Sequence, residues 1–167
     1  GGLNSTADAF QVTDIGELTD MLIRNSSEDF ELQYRSSATS NTDDAMELEL
    51  SNCDNGTLAL RSAVRISSGA ANGIEALTVN SIGSPNRLSL LTQTPGPVLG
   101  GTASSTMDTL NVIGTHDLTI GEVRDGTIAA GVTVGPLDNS IVTVNAADFE
   151  GGLSVIVGNG VVTSTGG

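Results

Sequence analysis

The strongest constraint on this chain is an internal repeat of about thirty residues, because self-similarity at that period demands stacked units and not one irregular globule. Each unit holds two apolar-x-apolar triplets separated by a short polar turn. The first triplet recurs as Met21-Leu22-Ile23, Leu48-Glu49-Leu50, Leu77-Thr78-Val79, Leu110-Asn111-Val112 and Val142-Thr143-Val144, starting 27, 29, 33 and 32 residues apart. The second follows as Phe30-Glu31-Leu32, Leu58-Ala59-Leu60, Leu88-Ser89-Leu90, Leu118-Thr119-Ile120 and Leu153-Ser154-Val155. Period-two alternation bounded by Gly, Asn, Asp and Ser is the pattern of short strands with one buried face.

A weaker third alternation lies between units at Val64-Arg65-Ile66, Val98-Leu99 and Val132-Thr133-Val134. Three strands per turn of roughly thirty residues predict an all-β fold, a parallel β-helix or β-solenoid of about five coils, each strand stacked on its counterpart about 4.8 Å away. Leu48, Leu77 and Leu110 are then expected in one ladder. An antiparallel β-sandwich is the alternative, since it too produces many short strands and turns. One helix competes at Asp14–Arg24, where Asp14 and Glu17 could form a capping box and Leu18, Met21 and Leu22 share a face. Asn25, Asn52, Asn80 and Asn145 fall at or next to the first corner of their units, and asparagine tolerates the left-handed backbone that corners need.

Composition fits a narrow aliphatic interior: aromatics are 2% of 167 residues and Trp is absent. Six Arg, no Lys and twenty acidic residues give a formal net charge of −14, which disfavours nucleic acid as a partner. No apolar run approaches the ~20 residues that would insert in a membrane. The acidity reads either as solubility alone or as an extracellular surface partly neutralised by Ca²⁺. Cys53 is the only cysteine, so no intrachain disulfide exists; set in a turn beside acids, it is a poor nucleophile. The chain opens Gly1-Gly2 and ends Gly166-Gly167, and it reads as one domain over residues 1–167, a piece of something longer, with 1–19 as a cap or linker.

The stretches Gly73-Ile74-Glu75-Ala76-Leu77-Thr78-Val79-Asn80, Met107-Asp108-Thr109-Leu110-Asn111-Val112-Ile113-Gly114 and Leu118-Thr119-Ile120 resemble the repeating text of type I secreted bacterial S-layer proteins and RTX-type surface adhesins. Val144 to Val155 is similar to that family's "I-D-A-S-x-F-T-G-G-L-x-V" phrase, with Asn145 and Ala147 as departures. The resemblance implies a right-handed solenoid, export, Ca²⁺-dependent assembly and work at the cell surface. The family's nonapeptide G-G-x-G-x-D-x-U-x is not present unless Gly166-Gly167 begins one.

Calcium takes six to eight oxygen ligands, and the turn-like acids that could supply them are Asp43, Asp44, Asp54, Asp108, Asp117 and Asp138. His116, the single histidine, reads as an exposed turn residue, for no G-x-S-x-G or HExxH accompanies it. Carboxylate pairs could support a carbohydrate-active β-helix, but one Tyr, no Trp and no Lys leave little to hold a sugar. The expectation is therefore a non-catalytic, structural, extracellular segment of a surface lattice. Its partners would be copies or neighbouring domains of the same protein, or cell-surface glycan bridged by Ca²⁺. An adhesin segment binding a ligand is the alternative.

Overall fold

The computed structural model describes residues 10–27, 30–35, 37–54, 56–62, 73–94, 106–121, 140–155 and 163–166. The described elements are all strands: β1 (Phe10–Ile15), β2 (Met21–Ser26), β3 (Phe30–Tyr34), β4 (Ala45–Cys53), β5 (Gly56–Ser62), β6 (Ala76–Ile82), β7 (Asn86–Thr94), β8 (Thr109–Gly114), β9 (Leu118–Ile120), β10 (Thr143–Ala146), β11 (Leu153–Val155) and β12 (Thr163–Gly166). Successive strands alternate between two six-stranded sheets, ordered β1-β3-β5-β7-β9-β11 and β12-β10-β8-β6-β4-β2. Every strand therefore pairs with its counterpart one repeat away, and every pairing is parallel.

This architecture corrects the expected fold class. A right-handed parallel β-helix of about five coils with three strands per turn does not describe what is seen: among the described residues each repeat delivers two strands, one to each of two sheets. The third alternations at 64–66, 98–99 and 132–134 lie outside the described residues. The antiparallel sandwich also fails, because consecutive strands enter different sheets and never pair as hairpins.

Alternation makes the core. Along β4, Met46, Leu48 and Leu50 point inward between the partly buried Glu47 and Glu49, and along β6 Leu77, Val79 and Ser81 do the same. Buried residues of both sheets form one cluster, led by Leu48, Leu50, Leu77, Leu91, Leu110, Leu118 and Ile120 at 0% exposure. Tyr34 is buried with them, its hydroxyl donating to the Met46 sulfur at 3.3 Å.

Register departs from the expected alignment. Met46 pairs with Leu77, Leu77 with Leu110 and Leu110 with Val144, whereas Leu48 pairs with Met21 on one side and Val79 on the other. Leu48, Leu77 and Leu110 thus do not share a ladder. The slip is two residues, which preserves the inward face. Met46, Leu48 and Leu50 offer three apolar positions of equal parity, so triplet matching alone had no means of choosing among them.

The first strand arises where a cap or linker was expected: Phe10-Gln11-Val12 pairs with Phe30-Glu31-Leu32. The competing helix at Asp14–Arg24 is absent. Asp14 instead adopts φ 64° at a bulge, and its carboxylate accepts both Nε (2.6 Å) and Nη2 (2.5 Å) of Arg35. At the opposite end β12, Thr163-Ser164-Thr165-Gly166, contains no apolar residue and so was invisible to hydrophobic alternation.

Corner chemistry is divided. Asn25 (φ 53°), Asn52 (φ 59°) and Gly83 (φ 78°) follow the mutually paired Arg24, Ser51 and Ile82, and form one left-handed corner repeated through three levels. Asn80 and Asn145 are not corner residues; they lie inside β6 and β10. At Gly114 (φ 111°) a Cβ would collide with the Ser81 backbone, so only glycine fits.

Leu110→Ala is expected to lower unfolding free energy by about 2–5 kcal/mol in urea titration, since Leu110 is wholly enclosed. Leu22→Ala, at a side chain 50% exposed, is expected to change it by less than ~1 kcal/mol.

Candidate functional site

The acids expected to gather as calcium ligands are instead distributed among repeats. Asp43 is exposed in the bend before β4. Beside it, Asp44 is buried, its carboxylate accepting the backbone N–H (3.0 Å) and side-chain amide (2.9 Å) of Asn41. Asp54 is exposed, its Oδ1 3.8 Å from Arg87 Nε. Asp108 accepts a hydrogen bond from the Thr109 hydroxyl (2.8 Å), and its carbonyl accepts the N–H groups of Val142 and Thr143. Asp117 Oδ1 accepts the Gly152 N–H at 2.7 Å. Asp138 lies outside the described residues. Among the described residues no three His, Cys, Asp or Glu side chains converge in a way that could hold a metal ion.

Among the described residues Asp44 and Glu75, one repeat apart, are brought together. Glu75 Oε2 accepts the Asp44 N–H at 2.8 Å, while the Asp44 carbonyl accepts the N–H groups of Glu75 and Ala76. Burial pushes the Glu75 carboxyl above its ordinary range; the N–H bond from Asp44 opposes this and the Asp44 charge adds to it.

Cys53 is the last residue of β4 and is buried, not exposed in a turn. Its thiol donates to the Ile23 carbonyl at 3.3 Å; burial, and not the neighbouring acids, pushes its pKa up, opposed by hydrogen bonds with the Ser51 and Ser26 backbone. That environment suppresses the thiolate and with it nucleophilic chemistry. His116 is partly buried, with Nδ1 2.9 Å from the Thr115 hydroxyl.

The most connected polar group is one that hydrophobic pattern reading passes over. Asn86 opens β7 and is 1% exposed. Its Oδ1 accepts the Cys53 N–H at 2.8 Å; its Nδ2 lies within bonding distance of the Ser81 hydroxyl (2.8 Å) and the carbonyls of Ser84 (2.9 Å), Ile82 (3.1 Å) and Leu50 (3.2 Å). Gln93 plays a similar part: Oε1 accepts from the Thr106 N–H, its hydroxyl and the Met107 N–H, and Nε2 donates to the Ile74 carbonyl. Their signal in the sequence is parity: Asn86 pairs with Leu118, and Gln93 with Leu60, so each amide occupies a place in an otherwise aliphatic row. A buried amide is tolerated there only because its donors and acceptors are met.

The described residues form an all-parallel, two-sheet repeat in which Asn52, Asn80, Asn86, Asp117 and Asn145 cross-link neighbouring repeats. No protein-family model matches the chain, and comparisons with curated proteins and with solved structures return no match. Among the described residues no helix is long and apolar enough to cross a membrane.

Asn86→Ala is expected to cost roughly 3 kcal/mol, because the Cys53 N–H and several carbonyls lose a buried partner. Asn145→Ala, removing two exposed bonds, one to Asn111 Oδ1 (3.3 Å) and one from the Ala147 N–H (3.2 Å), is expected to cost less than ~1 kcal/mol; denaturant titration compares them. A carboxyl whose pKa is raised on folding stabilises fully below its unfolded pKa and loses that contribution as pH rises through the folded value. Glu75→Gln is therefore expected to gain stability relative to the parent chain between acid and neutral pH, measured as the melting difference across that window.

Proposed function

We propose that this chain is a non-catalytic, structural segment of an exported cell-surface assembly, of the kind formed by the S-layer-like and RTX-type proteins its repeats resemble. The observation that carries the reading is how its polar side chains are used. Asn52, Asn80, Asn86, Asp117 and Asn145 each bond to a residue of a neighbouring repeat, and Gln93 ties the end of β7 to the approach to β8 through Thr106 and Met107. Side chains that reinforce a stack in this way are already committed and are not poised to turn over a substrate.

A net charge of −14 supports the same reading from outside the core. Copies so acidic repel one another until a multivalent cation lies between them, and Ca²⁺ accepts the carboxylate oxygens of two surfaces without a built cage on either. The partner is a second copy or a neighbouring domain of the same protein, and an anionic surface glycan is reachable by the same bridging chemistry.

Sedimentation velocity of the purified chain tests this. Adding Ca²⁺ is expected to produce larger species that revert with chelator, while NaCl at matched ionic strength, which screens without bridging, produces none. A chain that stays monomeric in Ca²⁺ at every concentration tried overturns the assembly reading.

A further inference from the structure

Among the described residues β1 and β2 pair on one side only, with β3 and β4, and β11 and β12 pair on one side only, with β9 and β10. Each of these four edges presents a row of backbone N–H and C=O groups that another strand can take up. Three features of the chain decide which strand fits.

The first is the order of the sheets. Described strands alternate between the sheets, starting with β1 in the sheet that ends at β11 and finishing with β12 in the sheet that begins at β2. The alternation continues unbroken when β1 of a second copy lies beside β11 and its β2 lies beside β12. Both new pairs are then parallel, like every pair inside the chain. A two-fold axis joining like ends makes the facing strands antiparallel instead.

The second is where apolar surface is left over. Val12 and Met21 at one end, and Leu153 and Val155 at the other, reach the core but stay only partly buried. Their row neighbours one strand further in, Leu32, Leu48, Leu118 and Ile120, are buried. A second copy supplies the layer that each end residue lacks.

The third is charge. Arg24 is exposed in β2, and its row runs through Ser51 to Ile82. In the adjoining row Ser81 pairs with Gly114, which bridges to Phe149, so the row of Arg24 continues to Thr115 and ends at Glu150, exposed in the turn before β11. One row thus begins with a base and ends with an acid. Among the described residues Arg24 has no ion-pair partner. In a chain of net charge −14, most approaches of two copies are repulsive. End-to-end approach brings Arg24 of one copy toward Glu150 of the other.

We propose that copies of this chain associate head to tail, β11 pairing with β1 and β12 with β2 of the next copy. Such contacts are heterologous, and stacked along one axis they do not close, so they build an open filament. The proposal deepens the assembly reading above by naming the partner as a second copy. Backbone groups make the joint, so it needs no Ca²⁺.

Sedimentation velocity of the full chain in chelator, over a concentration series, tests it. The weight-average mass is expected to rise past that of a dimer. Val12→Lys points a charge inward at the first edge and Val155→Lys does so at the last, and each alone is expected to remain monomeric. Mixed, these variants have one open end apiece and are expected to form dimers and nothing larger. A parent chain that is monomeric throughout the series, or either folded lysine variant dimerising alone, overturns the joint. Melting curves report whether the lysine variants fold. Where one does not, the exposed pair decides: Arg24→Glu and Glu150→Arg each weaken association and their combination restores it, and association indifferent to Arg24→Glu overturns the proposal. Calcium titration of Val12→Lys, whose joint is blocked, reads cation bridging separately, so the two readings fail independently.

Discussion

Everything in this molecule depends on parallel pairing between equivalent strands of successive repeats. The chain has no disulfide and almost no aromatic bulk, so burial must come from stacked rows of Leu, Ile, Val and Met, as in the row Met46-Leu77-Leu110-Val144. A strand of this kind cannot hold its apolar face alone; each acquires a dry neighbour only from the next repeat. Stability is thereby a nearest-neighbour property, and the inward rows and the backbone ladders act along the same direction.

Polar groups follow the same direction. The Asn25–Asn52 amide bond, the Glu47–Asn80 bond and the Asp117–Gly152 bond all join one level to another. Asn86 goes further, linking the end of β4, the turn after β6 and the start of β7 from a buried position. Glu75 shows the cost of such placement: its carboxylate holds the Asp44 N–H, yet burial disfavours its charge. The interior is thus devoted to cohesion, and acids such as Asp43 and Asp54 remain exposed.

Much of the architecture was legible because alternation has a period of two and the repeat a period near thirty; together they locate the strand pairs from Met21 to Val155. The misread parts have physical causes. Register between β4 and β6 slipped by two because Met46, Leu48 and Leu50 are interchangeable to any hydrophobic criterion, while the backbone contacts of Asp44 with Glu75 and Ala76, which pin the strands, carry no apolar signal. β12 escaped because Thr, Ser and Gly pair through backbone alone. The acids read as calcium ligands share a residue type and a turn-like setting, but among the described residues no three such side chains converge.

The amino-acid sequence by itself determined that the chain is built of short strands with one aliphatic face, that it repeats, and that its surface is strongly acidic, because these are properties of residue type and spacing. Only the tertiary structure decided that the described strands pair in two parallel sheets, that β4 and β6 meet two residues out of the expected register, and that Asn86 and Gln93 are core cross-links. Those facts depend on which residue of one repeat lies beside which residue of the next, and that is settled by packing and hydrogen-bond geometry between segments some thirty residues apart, not by any local preference.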